Sequence, residues 1–238
     1  MSEDLAPEPL LDPSLVETTL RVALAKGGEW AELFAEDRQS ASSSFDEGRV
    51  DSMSSSRDRG VGIRVTVGEI TGFAHTSDLS SEGLKEAAEV AASAATSSSR
   101  TTAVALNGDG LASTRVKMLP NLVSKESKVA LLRRADEAAR SAGGSISQVT
   151  VGYSEGRRRI LVANTAGIFR ADDQVRTLFS VNCVATGDQG LQTGRETVGY
   201  TVGYELFEEN DVAALAERAA NRAITKLRAR PAPSGELP

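Results

Sequence analysis

Residues 60–75 read GVGIRVTVGEITGFAH and carry the strongest secondary-structure signal in the chain. The first half of this stretch has an aliphatic side chain at every second position: Val61, Ile63, Val65 and Val67. That period is typical of a strand with one buried face. A Gly-Glu turn at residues 68–69 and a second strand at residues 70–75 complete a predicted antiparallel hairpin.

The segment before the hairpin begins with a predicted helix over residues 14–26. Ser14 and Glu17 have the spacing of a capping box, in which the two side chains satisfy free backbone N–H groups at the helix start. A strand over residues 29–37 follows, because small and aliphatic residues alternate there with charged or aromatic ones. A helix and a strand therefore precede the hairpin.

A serine-rich segment lies between this strand and the hairpin. Eight of the eighteen residues from 39 to 56 are serine. We interpret the segment as two polar strands that turn at residues 46–48, with Phe45 and Val50 pointing inward. The alternative is a flexible loop.

The rest of the chain repeats the same kinds of element. Three further helices are predicted. The first begins at Ser80 or Ser81 and runs to residue 95, the second is capped by Ser124 and runs to residue 142, and the third begins at Asn210 or Asp211 and runs to residue 228. Four further strands are predicted over residues 146–154, 158–164, 168–185 and 193–205, the third with a possible break at residues 172–173. Short turns join these strands, which predicts antiparallel pairing. The fold class is therefore α+β, with antiparallel sheets and four packed helices in two sub-domains.

Composition shifts along the chain predict its domain organisation. The predicted parts are a disordered tail (1–12), a first α/β sub-domain (13–96), a serine- and threonine-rich linker (97–122), a central α+β sub-domain (123–230) and the start of a connection to a further domain (231–238). The tail has neither a basic nor an apolar stretch, so it is not a signal peptide. We therefore expect a cytoplasmic protein.

Charge and composition restrict the function further. The 238 residues carry a net charge of −6, which argues against nucleic acid or an anionic membrane as the main partner. A single cysteine excludes an internal disulfide framework, and a single histidine excludes every motif that needs two.

Single residues offer little for catalysis. His75 could act as a general base or metal ligand beside Ser77 and Asp78, but a solvated histidine at a strand end explains it better. Cys183 lies in an apolar strand without a basic neighbour, so we interpret it as an inert thiol.

The remaining charged and glycine-rich motifs have structural explanations. A turn and a helix start account for the carboxylate pairs Asp172-Asp173 and Glu208-Glu209. A solvated hairpin edge explains the basic run at residues 157–159 better than an RNA-binding patch does. The glycines at residues 60–62 and 108–110 lack the third glycine of a phosphate-binding loop. We therefore assign no catalytic, cofactor-binding or metal-binding residue.

The order of several segments resembles the TldD/PmbA (TldD/TldE) family. The segments are the hairpin strand (60–67), residues 71–80 with the Ala-rich helix after them, the first strand (31–36), the central helix (128–136), residues 162–167 with Arg176, residues 199–207 and the last residues (230–238). The resemblance covers residues 14 to 238 and is closer to TldD than to TldE.

The resemblance implies a cytosolic zinc metallopeptidase that cuts unfolded peptides in protein turnover and in the maturation of modified peptides. TldD-type subunits carry a His-Glu-x-x-x-His motif and a more distant cysteine ligand, and neither matches this sequence. The resemblance thus implies that zinc belongs to the full-length protein and that this chain binds none.

Two hypotheses follow. In the first, the chain is the N-terminal portion of the peptidase, shapes the substrate chamber, and contacts a TldE/PmbA-like or identical subunit in a dimer. In the second, it is a non-catalytic, TldE-like module that binds a TldD-type subunit. The edges of the serine-rich strands and of the strand ending at Glu205 would suit an extended peptide added as a strand.

Overall fold

The computed structural model describes residues 9–95, 105–113, 116–188, 190–230 and 235, and only the backbone of residues 108–113. The helices are α1 (Pro13–Leu24), α2 (Ser81–Ala94), α3 (Lys125–Ser141), α4 (Leu206–Glu209) and α5 (Val212–Leu227), with one 3-10 turn at Pro120–Leu122. The strands are β1 (Trp30–Asp46), β2 (Arg49–Val67), β3 (Ile70–Thr76), β4 (Asn107–Ser113), β5 (Ile146–Asn164), β6 (Ile168–Gly187) and β7 (Gly190–Tyr200). Residues 1–8 of the predicted tail, residues 97–104 and 114–115 of the predicted linker and most of the connection after residue 230 lie outside this description.

The described strands form one sheet, in the order β3-β2-β1-β5-β6-β4, and β7 also pairs with β6. β3 runs antiparallel to β2, and β7 runs antiparallel to β6, whereas β4 runs parallel to β6. The predicted α+β class is confirmed. Two details differ from the prediction of several antiparallel sheets with four helices. The described strands join a single sheet, and the short helix α4 is a fifth helix.

The predicted hairpin at residues 60–75 is confirmed in its register. Val67 lies opposite Ile70 and Val65 opposite Gly72, so residues 68–69 form the turn. The alternating aliphatic residues of β2 are buried: Val61, Ile63, Val65 and Val67. The polar strand pair also forms, with its turn at residues 47–48. Phe45 is buried as expected, but Val50 is exposed, because β2 lacks a cover over this part of its length.

Several strands are longer than predicted. β5 runs through the turn expected at residues 155–156, and β6 runs through the break expected at residues 172–173. Arg157 of β5, which follows the first of these places, binds Asp173 of β6, which lies in the second. This cross-strand pair is compatible with an uninterrupted ladder. β7 in contrast ends at Tyr200 rather than Glu205, because the chain then turns at Gly203 to meet the backbone of Met118.

The fold begins earlier than predicted. Leu11 is buried in the core, and the Asp12 carboxylate caps α1 by accepting the Ser14 backbone N–H at 2.8 Å. The cap is therefore Asp12 rather than Ser14, and Glu17 pairs with Arg21 instead of closing a capping box. At α2, α3 and α5, Ser80, Ser124 and Asp211 form the N-caps, as the sequence indicates.

β4 lies inside the segment predicted as an irregular linker. Asn107 pairs with Ile168, and Ser113 pairs with Asp173. Its glycine-rich sequence has no strand period, and its stability comes from the long-range ladder with β6.

The chain divides into two compact units whose sequence ranges interleave. Unit 1 contains residues 1–39, 56–114 and 156–174, and unit 2 contains residues 40–55, 115–155 and 175–238. β1, β2, β5 and β6 each contribute to both units. The contiguous sub-domain boundaries expected from the sequence stay a prediction.

Unit 1 has a core of small aliphatic side chains under α1 and α2. Its largest fully buried members are Leu20, Leu33, Ile63, Leu84 and Leu161. Gly72 of β3 permits a very close approach of α2, because a Cβ at this position would overlap the Ala91 carbonyl oxygen.

Unit 2 has a core that is richer in aromatic residues, under α3 and α5. Phe45, Tyr153 and Phe179 are buried there, and Tyr204 and Phe207 pack against them. The ring centroids of Tyr204 and Phe207 lie 5.0 Å apart in an edge-to-face arrangement.

Candidate functional site

His75 occupies the position that a solvated strand-end histidine would have. It is exposed on β3, and its ring lies edge-to-face with the Phe73 ring at a centroid distance of 6.4 Å. The neighbouring Asp78 serves the turn before α2, because its carboxylate accepts the Ser80 N–H. These backbone and side-chain bonds from Ser80 hold the pKa of Asp78 below its usual range. The arrangement is that of a turn rather than of a general base.

Cys183 lies fully buried in the core of unit 2. Burial raises the pKa of its thiol to about 11, so the thiolate form is scarce at neutral pH. A nucleophilic or metal-ligating cysteine needs the opposite shift. The structure therefore supports the interpretation of an inert thiol.

Three of the four residues in the two carboxylate pairs have separate structural roles. In β6, Asp173 is buried and accepts two Arg157 nitrogens, whereas Asp172 accepts the Gln174 amide. Glu208 pairs with Lys117 at 2.9 Å. The sequence predicts the Glu208-Glu209 pair at the start of the long helix α5. The pair instead lies in the short helix α4.

The basic run at residues 157–159 is not a hairpin edge, contrary to the prediction. It lies in the middle of β5, which has β1 on one side and β6 on the other. Arg157 binds Asp173 of β6, and Arg158 binds Glu36 of β1 through Nε at 2.9 Å. Because both arginines are engaged by carboxylates, this run is a structural element of unit 1 rather than an RNA-binding patch.

A row of alternating charges crosses four strands of unit 1 on the face that carries the core. The row contains Arg57 (β2), Asp37 (β1), Arg157 (β5) and Asp173 (β6). Two nitrogens of Arg57 donate hydrogen bonds to the buried Asp37 carboxylate, at 2.9 Å and 2.5 Å. This bidentate bond lowers the pKa of Asp37, and Arg159 and Arg59 add to the effect.

The Asp37 pair predicts a pH-dependent stability. Asp37→Asn is expected to lower the free energy of unfolding by about 1–3 kcal/mol at pH 7, because it removes a charge-assisted bond. The pKa of Asp37 in the folded state lies below its value in the unfolded state. Its contribution to the free energy of unfolding is therefore complete above about pH 4 and is lost as the pH falls through the folded-state pKa. Urea denaturation of both proteins between pH 7 and pH 2.5 should show the difference shrinking at the acid end.

Asp58→Asn is the matched control for this prediction, since Asp58 is exposed on the same strand. It should change the free energy of unfolding by less than about 0.5 kcal/mol. A difference between Asp37→Asn and the natural protein that stays constant down to pH 2.5 would contradict the assignment.

A second buried ion pair, which sequence reasoning missed, lies in unit 2. Lys128 Nζ of α3 binds the Glu155 carboxylate of β5 at 2.6 Å, and both side chains are less than a tenth exposed. The Tyr153 hydroxyl donates to the same carboxylate oxygen, and its ring lies 5.5 Å from Lys128 Nζ. Burial raises the pKa of Tyr153, and the Glu155 carboxylate raises it further. The hydroxyl therefore stays protonated and acts as a donor.

Glu205 is also missed by the sequence analysis. Burial opposes its ionisation, yet four backbone N–H groups, of which its own has the largest effect, outweigh burial and lower its pKa. The other three donors are Lys117, Met118 and Gly203, at 3.0–3.1 Å. The carboxylate thus fixes the turn after β7 to the segment before α3.

The described residues do not fit a zinc site. No group of three or more His, Cys, Asp or Glu side chains within them is arranged to hold a metal ion. The single histidine is exposed in unit 1, and the single cysteine is buried in the apolar core of unit 2. Structural and catalytic zinc sites need at least three converging ligands.

The start of β2 and the outer side of β7 are among the strand edges that no other strand pairs with in the described part of the chain. Residues 49–59 of β2 are all exposed, and β3 pairs with β2 only from Val61 onward. β7 has β6 as its one strand neighbour, and its end residue Tyr200 is 61% exposed. An exposed edge offers main-chain N–H and C=O groups to another strand.

These features define an α+β fold with buried ion pairs and exposed strand edges. Residues 31–95 match the family model "PmbA/TldA metallopeptidase domain 1", and residues 119–227 match the "PmbA/TldA metallopeptidase central domain". The chain therefore belongs to the PmbA/TldA metallopeptidase family, which confirms the resemblance seen in the sequence.

Curated relatives agree with this assignment. A "Metalloprotease" of Methanothermobacter thermautotrophicus is 29% identical over 214 residues, which cover 88% of this chain and 46% of that protein. A "Metalloprotease TldD homolog" of Haemophilus influenzae is 26% identical over 218 residues, covering 88% of this chain and 45% of that protein. The chain thus spans slightly less than half the length of these relatives.

Solved structures share the fold. One is a Thermotoga maritima protein described as a proposed modulator of a DNA gyrase, which superposes with a TM-score of 0.74 at 18% identity. The superposition covers 93% of this chain and 50% of the Thermotoga chain. TldE from Thermococcus kodakarensis superposes with a TM-score of 0.64 at 20% identity, over 88% of this chain and 47% of its own. In the part of our chain that the structure describes, no helix is long and apolar enough to cross a bilayer.

Proposed function

We propose that this chain is the N-terminal portion of a TldD-like zinc metallopeptidase that acts on unfolded peptides in proteolysis and modified-peptide maturation. The observation that carries the proposal is the pair of family matches, to domain 1 and then to the central domain of a metallopeptidase. The relatives named as metalloproteases are about twice as long as the matched region, which leaves them room for a separate catalytic half.

In this proposal the catalytic zinc lies outside residues 1–238. The full-length protein would supply it from a His-Glu-x-x-x-His segment, which we expect within a few tens of codons downstream of Pro238 in the native reading frame. When bound, such an ion activates a water molecule for attack on a peptide carbonyl. The role of the present residues is to build the wall of the substrate chamber and part of the contact with a second, TldE/PmbA-like or identical subunit in the cytoplasm.

The test compares the 238-residue chain with the product of the complete native reading frame. Both are incubated with an unstructured, fluorogenic peptide, with zinc and with a chelator. We expect no metal-dependent cleavage by the 238-residue chain, because its residues do not form a ligand set. We expect chelator-sensitive cleavage by the longer product, alone or with its partner subunit.

Two results would overturn this proposal. Chelator-sensitive cleavage by the pure 238-residue chain would place the metal site within it. A native stop codon at Pro238 would favour the non-catalytic binding module instead. In that case the chain should bind a TldD-type subunit without adding activity of its own.

A further inference from the structure

The outer side of β7 is covered in part by side chains of α5. Both elements belong to unit 2, and in the described part of the chain β6 is the one strand that pairs with β7. Lys226 Nζ donates to the Thr193 carbonyl oxygen at 2.7 Å, and Arg222 Nη1 donates to the Arg195 carbonyl oxygen at 3.1 Å. Two main-chain acceptors of β7 are therefore already bound by cations of the same chain.

The register of β6 shows that these two carbonyl groups face away from β6. The Thr186 N–H donates to a carbonyl oxygen immediately before β5, so the even-numbered residues of β6 direct their main-chain groups towards β5. The odd-numbered residues direct theirs towards β7, where Cys183 lies opposite Gly194. Gly194 therefore faces β6, and its neighbours Thr193 and Arg195 face outward, where a further strand would pair.

Glu196 anchors the arginine. Its side chain is only 13% exposed and faces α5, where Arg222 Nη2 approaches Glu196 Oε1 to 2.8 Å and Arg218 Nε approaches it to 3.9 Å. Arg222 thus contacts a carboxylate on the helix-facing side of β7 and a carbonyl oxygen on its outer edge with different nitrogens. Turning the guanidinium away from the edge would weaken the pairing of a largely buried carboxylate, which is costly.

Helical spacing places the basic residues in one row. Arg218, Arg222 and Lys226 are four residues apart, so they lie on the same side of α5. The helix passes close to the strand edge, because a Cβ at Gly194 would overlap the Ala219 carbonyl oxygen. From this position the second and third basic side chains reach successive outward-facing residues of β7.

A similar contact in unit 1 shows that this packing does not by itself need a basic residue. A Cβ at Gly72 of β3 would lie 3.1 Å from the Cβ of Ala94 in α2. A Cβ at Gly194 of β7 would lie 3.0 Å from the Cβ of Arg222 in α5. Since an alanine suffices where α2 rests on β3, helix packing does not explain the length and charge of Arg222.

We propose that Arg222 and Lys226 form an edge cap, which prevents another strand from pairing with the outer side of β7 at residues 193–195. Exposed strand edges pair readily with other polypeptides, and charged side chains are one means by which proteins prevent this. Here the cations bind the two carbonyl groups that an added strand would use. The edge that the sequence analysis offered to an extended peptide is therefore closed at these residues.

The test removes the edge cap and measures pairing with a second copy of the chain. Arg222→Ala/Lys226→Ala removes both donors, and alanine preserves the helix because its helix propensity is the highest. The matched control is Arg218→Ala/Arg228→Ala, which removes two cations from α5 and its C-cap but leaves both carbonyl bonds in place. The two variants therefore have the same net charge.

Amide hydrogen exchange of the 15N-labelled chain reports on the edge, because the N–H groups of Arg195 and Thr197 face outward on β7. In the Arg222→Ala/Lys226→Ala variant, we expect exchange at these two amides to slow by about tenfold or more between micromolar and millimolar protein, as the β7 edges of two copies pair. In the natural chain and the control variant, we expect exchange at both amides to be independent of protein concentration.

Lys226→Ala is a second variant, for the case in which far-UV circular dichroism shows that the double variant does not fold. It keeps the contact between Arg222 and Glu196 and frees only the Thr193 carbonyl. We expect exchange at the Arg195 amide to slow by about threefold over the same concentration range, and not at all in the control Arg228→Ala.

Three results would overturn the proposal. The first is exchange in the folded uncapped variants that stays independent of protein concentration. The second is equal slowing in the control variants, which would assign the effect to net charge. The third is protection of the Arg195 and Thr197 amides at every concentration in the natural product of the complete reading frame, which would show that another strand of the protein already covers this edge. Because the readout is strand pairing, each of these results leaves the cleavage test unaffected.

Discussion

Lys128→Met is expected to lower the free energy of unfolding by about 3–5 kcal/mol, since it leaves the Glu155 carboxylate buried without its cation. Lys128 Nζ lies 2.6 Å from Glu155, and the two side chains are only 8% and 9% exposed. The Tyr153 hydroxyl also donates to this carboxylate, but a neutral donor cannot replace the lost charge. Urea denaturation followed by far-UV circular dichroism measures the effect.

Two further variants separate charge from packing. Lys125→Met changes an exposed lysine at the start of the same helix and should alter stability by less than about 0.5 kcal/mol. The double variant Lys128→Met/Glu155→Gln removes both charges and keeps an oxygen acceptor for the Tyr153 hydroxyl, so it should recover most of the loss. If the double variant is as unstable as the single one, lost packing of α3 rather than an unpaired charge is the cause.

The sequence predicts those elements whose signal is local. The alternation at residues 61–67, the two-residue turn after it and the caps Ser80, Ser124 and Asp211 all depend on neighbouring residues, and all are confirmed. The hydrophobic period directly reports which face is buried. The fold class follows from the order of these elements.

Elements stabilised by distant partners could not be predicted in this way. The run at residues 157–159 suggests a solvated hairpin edge, because nothing nearby shows that Asp173 and Glu36 lie on the adjacent strands. β4 has no hydrophobic period, and its backbone ladder with β6 connects residues about sixty positions apart. Lys128 looks like a surface residue of an amphipathic helix until the position of Glu155 is known.

The candidate site depends even more on tertiary structure. An open strand edge is a property of the strand order, because a strand is at an edge only if no other strand pairs with it. The serine-rich composition indicated polar strands, and it did not show that the start of β2 lacks the neighbour that β4 provides for β6.

Gly194→Ala is the second substitution for which we expect a large effect. α5 crosses β7 so closely at Gly194 that a Cβ there would overlap the Ala219 carbonyl oxygen and lie 2.6 Å from the Ala223 nitrogen. Both atoms belong to the helix backbone, so no side-chain rotation can relieve the clash. The facing helix residues Ala219, Ala220 and Ala223 are fully buried, which shows how tightly this interface is packed.

The added methyl group must therefore push α5 away from β7, and we expect a loss of about 3 kcal/mol in the free energy of unfolding. Gly144→Ala is the control, because no atom lies within 4 Å of the position that its Cβ would take. That variant should be neutral or slightly stabilised, since alanine restricts the unfolded chain more than glycine does. Thermal unfolding of both variants, monitored by circular dichroism, distinguishes the two cases. If Gly194→Ala melts at the temperature of the natural protein, α5 does not rest on β7 as the structure shows.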